Sequence, residues 1–524
     1  MKRRDFLQNI TTLVIVPSLL NSITTNAQNT LPLLAALANA ENTDRVLVLV
    51  QLRGGNDGLN TVIPLNQYTA YSNARSNIAI KQSDVLSLNG FTDRGLHPAM
   101  TGLQQKFNEG KVKIIQSVGY PSTNFSHFRA TDIWFSASDS NQIINTGWVG
   151  RFLDSQYPNF PQGYPNTNMP DPLAIEIGSI LSLGFQGPTM NMSISVSDPT
   201  NFYNMINGIQ DPVPNTPAGK ELAYIRTTAL QTNLYASRIK DAANSIVQQS
   251  PAYPAANTNS LADQLKIVAR LIAGGLKTKI YMVNLGGFDT HNSQVDTTNT
   301  SIGTHANLLG KVSQGINAFM EDLKFLNISN RVVGMTFSEF GRRIKSNLSN
   351  GSDHGASAPM FIFGDQVMSG ILGSNPTIPT SATVNDNVPM QYDFRSVYAS
   401  ILEQWFGIDK ILLETVMLKN FQSLALIKNS GTDIKENIDQ TKALIINYPN
   451  PFSNSTTIEF VTQGEHTSVE IMDTTGKRLF MLTDKEYEAG TYEINFEASN
   501  LMSGIYYARL QNKHIQQVKA MLKK

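Results

Sequence analysis

Along the chain, Arg45-Val-Leu-Val-Leu-Val-Gln51 is an almost unbroken apolar run, the pattern of a strand covered on both faces. Lys111–Val118, Lys279–Leu285, Val332–Phe337 and Pro359–Phe363 read the same way. Between these runs the apolar positions take helical spacing. Leu261–Ile272 follows Ser260 as an N-cap, Leu308–Leu326 aligns Leu309, Val312, Ile316, Phe319 and Leu323 on one face, and Tyr392–Phe406 stops at Gly407. Buried runs alternating with helical segments predict an α/β fold with a doubly wound, mainly parallel sheet.

The pattern changes in three places. Residues 150–255 are rich in Pro, Asn, Gly and Ser and read as a cap or insertion over the site. Residues 429–444 are polar and charged, a linker that closes a main domain spanning 41–428. From 445 to 524 the chain turns to short alternating strands, Thr457–Val461, Ser468–Met472, Thr491–Phe496 and Gly504–Leu510, the pattern of a small all-β sandwich. At the other end, Arg3-Arg4 precedes the apolar stretch Ile10–Leu20, with Thr25-Asn-Ala27 and Ala38-Asn-Ala40 as alternative cleavage sites. Residues 1–40 therefore read as an export signal, twin-arginine-like or Sec. No later segment offers a run of about 20 apolar residues, so no stable membrane span is expected.

Composition narrows the chemistry. With 524 residues, 41% of them apolar, the chain can bury a large core. Formal net charge is zero without long basic runs, which argues against nucleic acid as a partner. There is no cysteine, so any metal must take nitrogen and oxygen ligands.

The candidate chemistry lies at strand ends, where open α/β sheets bind ligands. Asp57 follows the first run in Gly54-Gly-Asn-Asp-Gly, as a metal ligand or as a turn residue. Ser126 opens a helix after the second, as a nucleophile or simply a cap, with His127 and Arg129 as substrate contacts or partners of local backbone. Asp289 and His291, two apart in an extended segment, point to one side and suit one cation. Glu339 ends the fourth run, and Asp353-His354 precede the fifth. Four carboxylates and two imidazoles suffice for two hard or borderline cations, and paired metals suit hydrolytic transfer at phosphorus or sulfur.

Gly54-Gly-Asn-Asp-Gly-Leu-Asn60, Leu96-His-Pro98, Val118-Gly-Tyr-Pro121, Ser126-His-Phe-Arg-Ala-Thr-Asp-Ile-Trp134, Gly286-Gly-Phe-Asp-Thr-His291, Ser338-Glu-Phe-Gly-Arg342 and Ser352-Asp-His-Gly355 together resemble the exported bacterial family called domain of unknown function 1501. That family is similar in pattern to the alkaline phosphatase and sulfatase superfamily. The resemblance implies that Asp57, Asp289 with His291, Glu339 and His354 are metal ligands and that Ser126 is the nucleophile. It implies divalent ions, zinc first, with manganese, magnesium and calcium as alternatives. The superfamily's Asp-His pair after the fourth strand is here Glu339-Phe340, which leaves Asp353 as a substitute ligand. No Ser-x-Pro-x-Arg or Cys-x-Pro-x-Arg occurs, so a phosphatase or phosphodiesterase fits better than a formylglycine sulfatase. Asn447-Tyr-Pro-Asn-Pro-Phe452, Thr474-Thr-Gly-Lys477 and Leu501-Met-Ser-Gly-Ile-Tyr506 resemble the C-terminal sorting domain of type IX secretion cargo. That implies the type IX machinery as a partner and passage through periplasm and outer membrane to the cell surface or medium. Two functions follow: a metal-dependent hydrolase of small anionic (phosphate or sulfate) esters, or a non-catalytic surface protein retaining the scaffold.

Overall fold

The computed structural model describes residues 44–199, 216, 219, 233–428, 445–448, 452–473, 477–512 and 516–523. The expected export signal and linker lie outside them, as does much of 200–232. The chain divides into two compact units, Met1–Asn429 and Ser430–Lys524.

The first unit is built on one nine-stranded sheet: β1 (Val46–Arg53), β2 (Val112–Gly119), β3 (Ala174–Ile177), β4 (Ser193–Val196), β5 (Ile280–Gly286), β6 (Val332–Phe337), β7 (Ala358–Phe363), β8 (Gly370–Leu372) and β9 (Tyr392–Asp393). Across the sheet the order is β8-β2-β7-β6-β1-β5-β3-β4, with β9 also paired to β2. Every pairing is parallel except those of β7, which runs against both β2 and β6. The five long runs of the sequence are all strands of this sheet. In β1 the pleat sends Leu47 and Leu49 into one hydrophobic core and Val46, Val48, Val50 and Leu52 into the other.

Helices cover both faces. Helices α1 (Thr101–Asn108), α4 (Ser260–Ala273) and α5 (Thr304–Phe325) pack over the second core, and α2 (His127–Ser136), α3 (Trp148–Gln156) and α6 (Phe394–Phe406) over the first. The expected stripe of α5 is buried throughout. Two helix starts differ from expectation. Asn259, not Ser260, caps α4, its side chain accepting from the Ala262 amide; Asp393 caps α6 after Tyr392–Asp393 has paired with β2. Residues 174–177 and 193–196 correct the reading of 150–255 as a cap. They extend the sheet beside β5, as strands too short to show a period.

Direction matters for the site. Because β7 is antiparallel, its first residue, Ala358, pairs with Val118 near the end of β2. His354, just before β7, therefore reaches the same sheet edge as the loops after β1, β2, β5 and β6.

The second unit has a three-stranded and a four-stranded antiparallel sheet enclosing one core of residues such as Ile458, Phe460, Ile471 and Leu510. This sandwich holds all four expected strands; the Thr474–Lys477 turn lies largely outside the described residues.

Candidate metal centre

Three histidine rings meet Asp289 at this edge. His354 stands opposite Arg342 in the antiparallel ribbon of Gly341–Ser346 with Ser352–Gly355. Its Nδ1 lies 2.9 Å from the Phe125 carbonyl oxygen, which can only accept, so Nδ1 carries the proton and a neutral ring offers a bare Nε2. His291 repeats the arrangement, with Nδ1 3.0 Å from Asp353 Oδ1. His127, first residue of α2, has Nδ1 2.8 Å from Glu339 Oε1, an oxygen that also accepts the Gly54 amide at 2.8 Å.

The three Nε2 atoms turn toward one carboxylate. Asp289 Oδ1 lies 3.1 Å from His354 Nε2 and 3.2 Å from His291 Nε2, and Oδ2 lies 3.4 Å from His127 Nε2. The two nitrogens His291 Nε2 and His354 Nε2 are themselves 2.9 Å apart. His127, Asp289 and His354 each offer a donor atom within 4.8 Å of the others, and His291 extends the group. Lone pairs at these separations repel unless protons or a cation lie among them. Zinc holds such donors at about 2.0–2.2 Å, which in a tetrahedron spaces them about 3.3–3.6 Å apart, so the set fits a small divalent ion with slight opening.

The surroundings keep the rings in place. Phe340, buried, packs 4.9 Å from the His127 ring and 4.4 Å from that of His354. Arg342 is fully buried; it donates to Asp289 Oδ1 at 2.8 Å and to the carbonyls of Gly54, Gly55, Phe288 and Ser352. Burial raises the Asp289 pKa, but the hydrogen bond and charge of Arg342, with the neighbouring imidazoles, outweigh it and hold the group at about 2. Burial also lowers the His354 pKa, favouring the neutral ring that a metal requires.

The expected residues thus divide. Asp289, His291 and His354 converge. Glu339 and Asp353 stand behind rings, on the Nδ1 side, and orient them instead of pointing to the shared space. Asp57 is elsewhere: fully buried, it forms an ion pair with Arg75 Nη1 at 2.7 Å and accepts from Gln294 at 2.6 Å. Burial raises its pKa, and the Arg75 and His305 charges together with hydrogen bonds from Gln294 and Arg75 more than reverse this. Arg129 is also committed, its Nη2 donating to the carbonyls of Asp139, Ser140 and Gln142. Ser126 is the N-cap residue of α2, exposed, and its hydroxyl makes no capping bond. His127, expected as a substrate contact, instead supplies a third ring. Arg75, Gln294 and Arg342 carried no role in the sequence reading; Arg342 alone had a signal, its place in Ser338-Glu-Phe-Gly-Arg.

Residues 203–416 match the family model described as protein of unknown function DUF1501, and residues 447–524 match the secretion system C-terminal sorting domain. Over these two stretches the chain is similar to those two families. The DUF1501 region contains Asp289, His291, Glu339, Asp353 and His354; His127 precedes it. The sorting domain marks the chain for export, to the cell surface or the medium. No helix among the described residues is long and apolar enough to cross a membrane. No curated protein matches the chain.

Among solved structures, the chain is similar to a Vibrio parahaemolyticus protein of the alkaline phosphatase superfamily, with 10% identity, 85% of this chain and 82% of that one covered, and a TM-score of 0.33. It is similar to the PsFucS1 sulfatase of Pseudoalteromonas sp., with 10% identity, 89% and 86% covered, and a TM-score of 0.32. A third similarity is to PorZ, a surface component of the type IX secretion system of Porphyromonas gingivalis, at 21% identity and a TM-score of 0.13; it spans 19% of this chain and 13% of PorZ.

Proposed function

We propose that His127, His291, His354 and Asp289 bind a divalent cation, zinc first among the candidates, and that the centre hydrolyses small anionic esters of phosphate or sulfate outside the cell. One observation carries the reading: three rings whose Nδ1 atoms are held by acceptors direct their Nε2 atoms at one carboxylate. Imidazole nitrogens with a single carboxylate suit zinc better than magnesium or calcium, which prefer all-oxygen sets. The ion, when bound, supplies Lewis-acid stabilisation of an ester oxygen and lowers the pKa of an oxygen nucleophile.

The chain's own groups supply the remainder. Ser126 adjoins His127 and its hydroxyl is not spent on the cap, which leaves it available as the nucleophile. The first-turn amides of α2 lack intrahelical acceptors and, with the helix dipole, favour an anion. Arg129 is tied to carbonyls, so the anionic part of the substrate is held by these amides. The sorting domain delivers the enzyme to substrates outside the cell, and the type IX machinery is its partner in transit.

The test combines metal content with turnover on nitrophenyl phosphate, phosphodiester and sulfate, before and after chelation and reconstitution with zinc or manganese. Wild type is expected to carry metal and turn over at least one ester. Ser126→Ala should keep its metal and lose about 10²-fold or more in kcat, while Asp289→Asn should lose both. An active Ser126→Ala removes the nucleophile from the reading. A metal-loaded wild type inert on every ester would favour the non-catalytic surface protein.

A further inference from the structure

The number of ions the centre takes can be read from the charges that already occupy its edges. The carboxylates in contact with the rings are Asp289, Glu339 and Asp353, and one guanidinium, Arg342, touches Asp289. Three negative charges against one positive leave two, which one divalent ion neutralises. A second ion would leave the half-buried cluster with two uncompensated positive charges.

The fourth strand-end carboxylate is occupied as well. Both Asp57 oxygens face Arg75 Nη1, at 3.0 and 2.7 Å, and Gln294 Nε2 adds a donor at 2.6 Å. Arg75 cannot easily leave. It is fully buried, and its other nitrogens donate to the carbonyls of Ile344 at 3.1 Å and Arg343 at 2.7 Å. A cation taking Asp57 would strand a desolvated guanidinium, which is strongly unfavourable. Arg342 is fixed in the same manner, by four carbonyls besides Asp289. Glu339 Oε1 is already taken by the Gly54 amide and His127 Nδ1.

We infer that this centre binds one divalent cation per chain, and that Arg75 and Arg342 stand as built-in cations at the carboxylates that would otherwise recruit a second. The inference rests on the proposed metal site and adds its stoichiometry and the roles of the two arginines. Arg75 neutralises Asp57 beside the site. Arg342 takes one side of Asp289 Oδ1, joins the Gly54, Phe288 and Ser352 backbones, and is a positioning residue for the carboxylate.

The experiment is a zinc titration by calorimetry of untagged, chelator-treated protein, with zinc counted by elemental mass spectrometry after removal of free ion, and repeated with manganese. One ion per chain is expected. Two ions per chain would overturn the inference and leave the metal site standing; none would overturn the metal site itself. Asp57→Asn, in protein shown to be folded by circular dichroism, should keep one zinc with its Kd within about threefold of wild type, whereas Asp289→Asn should lose tight binding. A tenfold or greater loss of zinc affinity in folded Asp57→Asn would make Asp57 a ligand and overturn the assignment of Arg75. Should Asp57→Asn fail to fold, the wild-type stoichiometry decides alone.

Discussion

A neutral imidazole has one proton for two nitrogens, so whatever stands behind the ring decides what its front presents. At this sheet edge Phe125 O, Asp353 and Glu339 stand behind, and the fronts of His354, His291 and His127 share Asp289. Carboxylates read from sequence as equivalent ligands therefore have different roles, because a residue letter does not say which ring nitrogen it faces. The same dependence on surroundings governs Glu176 in β3. Burial raises its pKa from an ordinary 4.5 to about 7, while Ser182 N at 2.8 Å and Ser193 Oγ at 3.1 Å donate to Oε1 and pull the other way. The folded state thus holds this proton more tightly than the unfolded chain. Its stabilising contribution is complete below about pH 4.5 and is lost as pH rises toward about 7. Glu176→Gln, neutral throughout with an oxygen that still accepts, should match wild type in Tm near pH 4.5 and exceed it at pH 8; a constant Tm difference between the two proteins from pH 4.5 to 8 would contradict the raised pKa.

Among elements, the loop after β1 is the joint on which the site closes. Gly54 has φ +122°, outside the range comfortable for other residues, and a Cβ there would lie 2.3 Å from the Asp289 amide nitrogen. Its amide also donates to Glu339, so one glycine lets the β1, β5 and β6 loops touch. Gly54→Ala should cost at least about 2 kcal/mol from backbone strain alone and should weaken metal binding, measured by denaturant unfolding and zinc titration. Wild-type stability in the variant would mean the loop shifts freely and does not position Glu339. The glycine was visible in sequence as part of a turn. The Asp289 backbone against it was not, because 235 positions separate the two residues. Similarly, the apolar run of β7 announced a buried strand, yet its antiparallel direction came from its pairing with β2 and β6.

At the scale of the molecule, the two units have separate hydrophobic cores, so they are expected to melt separately. Calorimetry should resolve two transitions, and added zinc should raise only that of the first unit, since a ligand stabilises the unit that binds it. A zinc-dependent shift of both transitions would show that they unfold together. The change of period near residue 445 already separated these units in the sequence, because alternating and helical patterns bury different faces and that difference is local. The same local logic identified the five long strands, the α5 stripe and the placing of Asp289, His291 and His354 at strand ends. What it could not supply was the company each side chain keeps. Asp57 and Asp289 both follow buried strands, but Arg75 closes on the first and three imidazoles on the second. That choice depends on groups brought together by the fold and on how deeply each carboxylate is buried. Periodicity determined the framework; only packing decided which carboxylate three imidazoles surround.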